Sequence, residues 1–289
     1  MKRLTLTCQI LNFNNTNDTI RLVESIREYH LLDHILIVDN NSTDNSYSIL
    51  KKKYSESNRI QVIKTNENRG YGAGNNYGIK FAFYNMNSDT VLLANPDVSF
   101  SENTISSLTD AMNLDDSVAI TSAVQRKQMK IIKDRAWKIP TKFEYIFSDT
   151  KFSKWIDLSS RYSPNHYEKK YSQVDCVPGA LLLINSKKFL EVGGYDENMF
   201  LYCEETTIGY KLKVANYKTI LVNDAFYDHD QSSSIRKSIP KISKQRTYIY
   251  ENRLLFLKKY LKSSWLTLWI AKSVYSYILK KLELKGNEA

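Results

Sequence analysis

Four short apolar segments each run straight into a polar cluster, and that arrangement restricts the fold more than any other feature of the chain. The segments are LTLTCQIL at 4–11, ILIVD at 35–39, IQVIKT at 60–65 and TVLLAN at 90–95. The clusters that follow are Asn12–Asn14, Asp39–Asp44, Asn66–Asn76 and Asn95–Asp97. Between the segments the spacing predicts helices. Asn17 or Asp18 can cap the first, whose apolar positions Ile20, Val23 and Ile26 recur at helical period; a second ends near Lys53 and a third near Tyr84. Strands alternating with helices predict an α/β chain with a parallel sheet wrapped in helices. In such sheets ligands gather at the carboxyl ends of the strands, where all four polar clusters fall.

The second half reads less regularly. A helix at 103–113 and a strand at 118–122 lead into 126–172, rich in Lys, Ser, Tyr and Trp, which reads as a mobile, partly helical insertion. Order returns at QVDCVPGALLLINS and GGYDENMF, followed by a helix from about Glu204 to Ala215, a strand YKTILV, and helix through 240–285. The expected division is 1–98, 99–238 and a C-terminal helical extension, 239–289. No stretch reaches the roughly 20 apolar residues that span a bilayer. The N-terminus reads as a strand, not a leader peptide. Cys8, Cys176 and Cys203 share no metal or redox spacing, so a reducing, cytoplasmic setting is expected.

Several constellations can carry chemistry, and each also has a plain structural reading. Asp39, with Asn41, Ser42 and Asp44, either accepts hydrogen bonds from a base or ribose, or builds a turn and caps the next helix. In ENRGYGAGNNYG, Gly70 and Gly72 allow backbone amides to approach a diphosphate at a helix start, and Asn68 and Asn75 can add side-chain donors. That segment lacks the Gly-Lys-Ser/Thr ending of a P-loop. Asn95-Pro96-Asp97 places two oxygen-bearing side chains on one side of an extended chain, suited to Mg²⁺ or Mn²⁺ or else to a simple proline turn. Glu204 and Glu205 either favour a helix dipole or provide a general base. His229 is a candidate metal or phosphate ligand.

Taken in order, LNFNN, IVDNNSTDNS, NRGYGAGNNYG, LLANPDV, VPGALLLI, GGYDENMFLYCEE, His229 with the serines after it, and YENRLLF resemble glycosyltransferase family 2, in particular its rhamnosyltransferase-like, cell-surface polysaccharide branch. The resemblance runs from about Leu4 to Phe256. It implies a GT-A fold (a Rossmann-like nucleotide-diphospho-sugar transferase), inversion at the transferred carbon, and a divalent metal, Mn²⁺ or Mg²⁺. Carried over by position, Asn12, Phe13, Asn14, Asp39, Asn41, Asn68, Gly70, Gly72, Asn75, Asn95, Asp97 and Arg253 fall on the donor side. Asp97 and His229 fall on the metal, Glu205 on the base and Glu204 on its acidic partner. Arg246 and Asn252 fall near the diphosphate or acceptor. Donor preference, on resemblance alone, is dTDP-rhamnose first and a UDP-hexose second. The chain departs from the family in reading Asn-Pro-Asp at the metal, and Thr207 where an Asp is expected two residues after the base.

A net charge of +10 admits nucleic acid, anionic lipid or a phosphorylated ligand as partner. The strand-end clusters are neutral or acidic, which argues against nucleic acid. A nicotinamide-dependent oxidoreductase is disfavoured because no GxGxxG follows the first strand. The remaining alternative is a non-catalytic nucleotide-sugar-binding or scaffold protein, which Thr207 would suit. Residues 252–285 mix aromatic and aliphatic residues with lysines. That helix either lies in a membrane interface, suiting a lipid-linked acceptor, or packs on the catalytic domain or a second subunit.

Overall fold

The computed structural model describes residues 4–154, 160–229 and 242–286. The strands predicted from the four apolar segments are β1 (Leu6–Asn12), β2 (His34–Asp39), β3 (Ile60–Lys64) and β4 (Thr90–Ala94), and they pair in parallel in the order β3-β2-β1-β4. Their side chains are buried nearly throughout β1, β2 and β4, as expected of strands covered on both faces. The intervening helices are α1 (Thr16–Ile26), α2 (Ser46–Lys53) and α3 (Tyr71–Asn85). Leu22, Val23 and Ile26 of α1 turn inward onto a core shared with Cys8, Ile10, Ile35 and Ile37.

Beyond β4 the sheet continues without a break. Short β5 (Val98–Phe100) leads into α4 (Glu102–Met112), whose N-terminus is capped by the Ser101 hydroxyl accepting from the Thr104 amide. Next comes β6 (Val118–Lys127), which forms a small hairpin with β7 (Lys130–Ile131). The predicted insertion contains α5 (Lys142–Phe147), two short 3₁₀ turns, and β8 (Tyr171–Val174), which pairs antiparallel to β10 (Lys218–His229). β9 (Leu181–Asn185) slots antiparallel between β4 and β6 and is followed by α6 (Ser186–Glu191). α7 (Glu204–Val214) precedes β10, which runs parallel to β6 and, past a bulge at 223–225, antiparallel to β5. Among the described residues the sheet thus has ten strands and crosses residue 98 without interruption.

The chain ends in α8 (Ile242–Lys259) and α9 (Trp265–Gly286). They form a separate aromatic cluster, in which Tyr250 and Tyr275 stack at 4.4 Å and Phe256 stacks on Tyr260 at 5.2 Å. The Tyr275 hydroxyl donates to the Tyr145 carbonyl of α5 at 2.7 Å, tying the insertion to the C-terminal helices. Among the described residues, no helix is long and apolar enough to cross a membrane.

Candidate active site

The carboxyl ends of β1 and β2 are laced into one network. Asn12 and Asp39 are register partners, and both are fully buried. Asn12 Nδ2 donates to Asp39 Oδ2 at 2.8 Å, and Ser42 adds its amide at 2.9 Å and its hydroxyl at 2.7 Å to the same carboxylate. Exposed Asn14, at φ 49°, accepts from the Thr43 amide at 2.9 Å and donates to Thr43 Oγ1 at 3.0 Å. Asn41 turns the chain at φ 56°, and Phe13 lies half-buried in the facing loop. Its hydrogen bonds show that Asp39 builds the turn that presents the loop residues.

The glycine-rich segment has a different use from the one its sequence suggests. Gly70 sits at φ 96°, and a Cβ there would lie 2.0 Å from the Phe200 carbonyl oxygen. That same oxygen accepts the Tyr71 amide at 3.0 Å, while the Gly70 amide goes to Asn68 Oδ1, also at 3.0 Å. A Cβ on Gly72 would come within 3.0 Å of Tyr195 Cβ and 3.6 Å of Glu204 Cγ. The amides of Gly70 and Tyr71 are therefore taken within the protein, and the glycines let residues 195–204 settle onto the start of α3. Asn75 also departs from expectation. It is fully buried beneath the sheet, where its Oδ1 accepts from Gln9 Nε2 of β1 at 3.0 Å, and it does not line the donor side.

What settles there is the acid pair. Tyr202 and Cys203 both adopt left-handed backbone, at φ 73° and 69°, so that α7 can start at Glu204. Glu204 is buried, and its Oε1 has no partner among the described residues. Burial, and then the charge of Glu205, push the Glu204 carboxyl well above the usual carboxylate range. Burial raises Glu205 as well, opposed by the backbone amides of Glu205 and Gly179. The two titrate as a pair. Glu204 is the deeper member and Glu205 the partly exposed one, so Glu205 is the carboxylate that an incoming group can reach.

Tyr71 joins this pair to the end of β4. Its hydroxyl donates to the Gly179 carbonyl at 2.8 Å and lies 3.3 Å from Asn95 Oδ1. Two residues on, Asp97 Oδ1 lies 3.1 Å from His229 Nε2, an approach produced by the antiparallel register of β5 and β10 that pairs His229 with Val98. Both side chains are largely buried, and His229 Nδ1 has no partner among the described residues. No group of three or more His, Cys, Asp or Glu gathers among those residues. A carboxylate and an imidazole at this separation fit two adjacent positions of an octahedral Mg²⁺ or Mn²⁺, with oxygens from a ligand and water completing the shell. The serines after His229 lie outside the described residues.

Two further expectations are corrected. Arg253 does not face the donor side: it donates to Asp149 Oδ2 at 2.8 Å, Ser148 Oγ at 3.2 Å and the Tyr145 carbonyl at 3.4 Å, and it lies over the Tyr145 and Tyr250 rings. Arg246 reaches the same Asp149 at 3.1 Å, so both arginines anchor the insertion to α8. Thr207 is fully buried, with its hydroxyl donating to the Cys203 carbonyl at 2.9 Å and lying 3.3 Å from Met199 Sδ. It is sealed in the packing at the start of α7.

Asn252, expected near the diphosphate or acceptor, and three residues given no role by the motifs hold the site in shape. Asn252 of α8 donates to the carbonyls of Leu201 and Tyr202, at 2.8 and 3.0 Å, bracing the left-handed entry to α7. Asn40 bridges Asn68 and the Gly70 carbonyl, and Asn76 pairs with the backbone of Tyr195 in both directions. Trp137 of the insertion donates from Nε1 to Thr206 Oγ1 at 3.2 Å. Asn40 and Asn76 could be found only by their place inside a motif, and nothing in the sequence pointed to Trp137. Asn252→Asp sets an acceptor against two carbonyls and is expected to cost about 1–3 kcal/mol, read as a lower urea midpoint at unchanged slope.

A mixed sheet with helices on both faces, strand-end clusters over β1–β4 and an acid pair at a helix start define a GT-A sugar transferase fold. The profile of "Glycosyl transferase family 2" matches residues 8–175, more than half of the chain, and the chain belongs to that family. It is 25% identical over 209 residues to N-acetylglucosaminyl-diphospho-decaprenol L-rhamnosyltransferase of Mycobacterium tuberculosis, covering 69% of this chain and 67% of that one. It is 26% identical to the low-salt glycan biosynthesis hexosyltransferase Agl10 of Haloferax volcanii, over 60% of this chain and 52% of that one. Among solved structures it resembles the mannosyltransferase PcManGT of Pyrobaculum calidifontis, in complex with GDP-Man and Mn²⁺, with a TM-score of 0.62 at 13% identity over 100% of this chain and 81% of that one. It also resembles GalNAc-T7 with UDP, GalNAc and Mn²⁺, with a TM-score of 0.61 at 17% identity over 79% of this chain and 44% of that one. At these identities the structures speak to the fold alone.

Proposed function

We propose that this family 2 glycosyltransferase moves a sugar from a nucleotide diphosphate donor to a hydroxyl of a glycan or lipid-linked glycan, inverting the transferred carbon, in the assembly of a cell-surface polysaccharide. The observation that carries the reading is the Glu204–Glu205 pair at a braced helix start, linked through Gly179 and Tyr71 to Asn95 at the end of β4, two residues before the Asp97 that meets His229. Residues 1–98 supply the donor side, 99–238 the acceptor side and base, and 239–289 the extension.

In this reading Glu205 accepts the proton of the acceptor hydroxyl, and the oxygen forms its bond to the anomeric carbon from the face opposite the diphosphate. The bond from that carbon to the diphosphate oxygen breaks, and its electron pair leaves with the diphosphate. One displacement inverts the centre without a covalent enzyme intermediate. Burial raises both carboxyls of the pair, which makes Glu205 a stronger base than a free carboxylate. Asp97 and His229 would hold the Mn²⁺ or Mg²⁺, which supplies charge neutralisation to the departing diphosphate. The mycobacterial relative is named for L-rhamnosyl transfer to a lipid diphosphate, and the Escherichia coli relative WbbL, 24% identical, is named a rhamnosyltransferase. Those names support dTDP-rhamnose as the first donor to try and a lipid-linked acceptor, which sets the enzyme at the inner face of the cell membrane. The name of the haloarchaeal hexosyltransferase keeps UDP-hexoses as the second choice.

Thermal unfolding against a panel of nucleotide sugars tests this. The matching donor, at ~100 times its dissociation constant, is expected to add about 2.7 kcal/mol of stability in Mn²⁺. That gain should shrink with chelator, and shrink equally in Asp97→Ala with metal present. No shift with any donor, with or without metal, would leave a non-catalytic scaffold as the reading of this fold.

A further inference from the structure

α9 divides into two faces. One face, with Ala271 and Tyr275 at its centre and Leu268, Val274 and Ile278 beside them, packs into the aromatic cluster with α5 and α8. The other carries Trp265, Leu266, Trp269, Ile270 and Tyr277 into solvent, with Trp265 78%, Trp269 61% and Tyr277 67% exposed. Such aromatic exposure on a helix that already has a packed face calls for an occupant.

Charge decides among the occupants. Between Leu254 and Leu282 the chain holds Lys258, Lys259, Lys262, Lys272, Lys280 and Lys281, and neither Asp nor Glu. All six are exposed, although Lys259 also pairs with Asp196 at 2.7 Å. A second copy docked face to face across a two-fold axis would set this lysine-only stretch against itself, bringing like charges together as the apolar residues met. An anionic bilayer suits both halves of the pattern. Tryptophan and tyrosine rings settle at the boundary between headgroups and acyl chains, and lysines extend along their own stems to the lipid phosphates. The helix is not apolar enough to cross, so it would lie flat.

We infer that the Trp265–Tyr277 face of α9 docks on an anionic lipid bilayer, the lysines flanking it holding the headgroups. The packed face stays on α5 and α8 throughout, so docking holds the catalytic domain at the surface without rearranging it. This deepens the proposal of a lipid-linked acceptor by naming the surface that meets the membrane, and vesicle binding itself is read without any sugar.

The full chain is floated with vesicles of phosphatidylcholine alone and of phosphatidylcholine with phosphatidylglycerol. Binding is expected only to the anionic vesicles, to weaken at high salt, and to bring a blue shift of tryptophan emission. W265S/W269S removes two exposed side chains, so the fold and the donor-induced thermal shift persist, while vesicle affinity falls about tenfold or more for each tryptophan. Equal binding to neutral vesicles, no binding to anionic ones, or a concentration-dependent dimer that W265S/W269S abolishes would each overturn the inference. A variant that loses vesicle binding but keeps its donor shift shows that membrane docking and sugar-donor binding stand or fall apart.

Discussion

Glu205→Gln is expected to keep its fold and its donor-dependent thermal shift and to lose about 10²–10⁴-fold in turnover. Glutamine preserves the shape that packs against Gly179, where Glu205 Oε1 lies 3.0 Å from the position a Gly179 Cβ would take, but it cannot accept a proton. Single-turnover transfer to a soluble acceptor analogue checks this; transfer at the wild-type rate would remove Glu205 from the mechanism. The pH profile carries a second signature. Burial raises both carboxyls of the pair above their ordinary 4.5, so wild-type turnover should fall on acidification while the pH is still above that value. Stability moves the other way. Because the folded values are raised, the pair's contribution is whole below the unfolded value and is lost as the pH rises through the folded one. Glu205→Gln removes one charge of the pair, so its melting temperature should fall less than that of the wild type between acidic and mildly alkaline buffer.

Gly70→Ala is expected to be the most destabilising single-methyl addition in the site. Alanine at φ 96° is strained whatever surrounds it, and here its Cβ would overlap the Phe200 carbonyl. Each of these costs about 1–3 kcal/mol, and either way of relieving them moves α3 away from residues 195–204. For a chain of this size the sum corresponds to roughly 10 °C in melting temperature. Activity should fall further than stability, because Phe200 leads directly into the braced entry of α7 and so into Glu204 and Glu205. Measuring the melting temperature and turnover of Gly70→Ala together separates the two losses. A variant that melts like the wild type would show that α3 and the 195–204 segment do not meet as described.

The parts of the fold legible in the sequence are those governed by near neighbours. The β1–β4 segments and α1–α3 follow from apolar periodicity at 2 and 3.6 residues, and turn-forming Asn, Asp and Gly mark where they stop. The C-terminal helix was legible only as one stretch through 240–285; its break into α8 and α9 was not. Of the site, Asn12, Asp39, Asn95, Asp97, Glu204, Glu205 and His229 stood at the ends of recognisable elements.

Partnership across long stretches of chain was not legible there. Asp97 and His229 are 132 residues apart and meet because β5 and β10 pair antiparallel; no local pattern encodes that register. Asn75 sat in a motif that looked ligand-facing, yet helical phase turns it to Gln9 beneath the sheet. Arg253 matched a family position, but the insertion supplies Asp149 at 2.8 Å and holds it. The glycines at 70 and 72 looked like a diphosphate cradle because glycine signals close backbone approach without saying what approaches; here it is Phe200, Tyr195 and Glu204. The sequence by itself determined the class of fold, the family and the chemical kinds of group at each strand end, since periodicity, turn chemistry and motif order are properties of neighbouring residues. Only the tertiary structure decided which of those groups touch, which carboxylate of the pair is the more deeply buried, and which face of α9 remains open, because burial and contact depend on how distant segments pack.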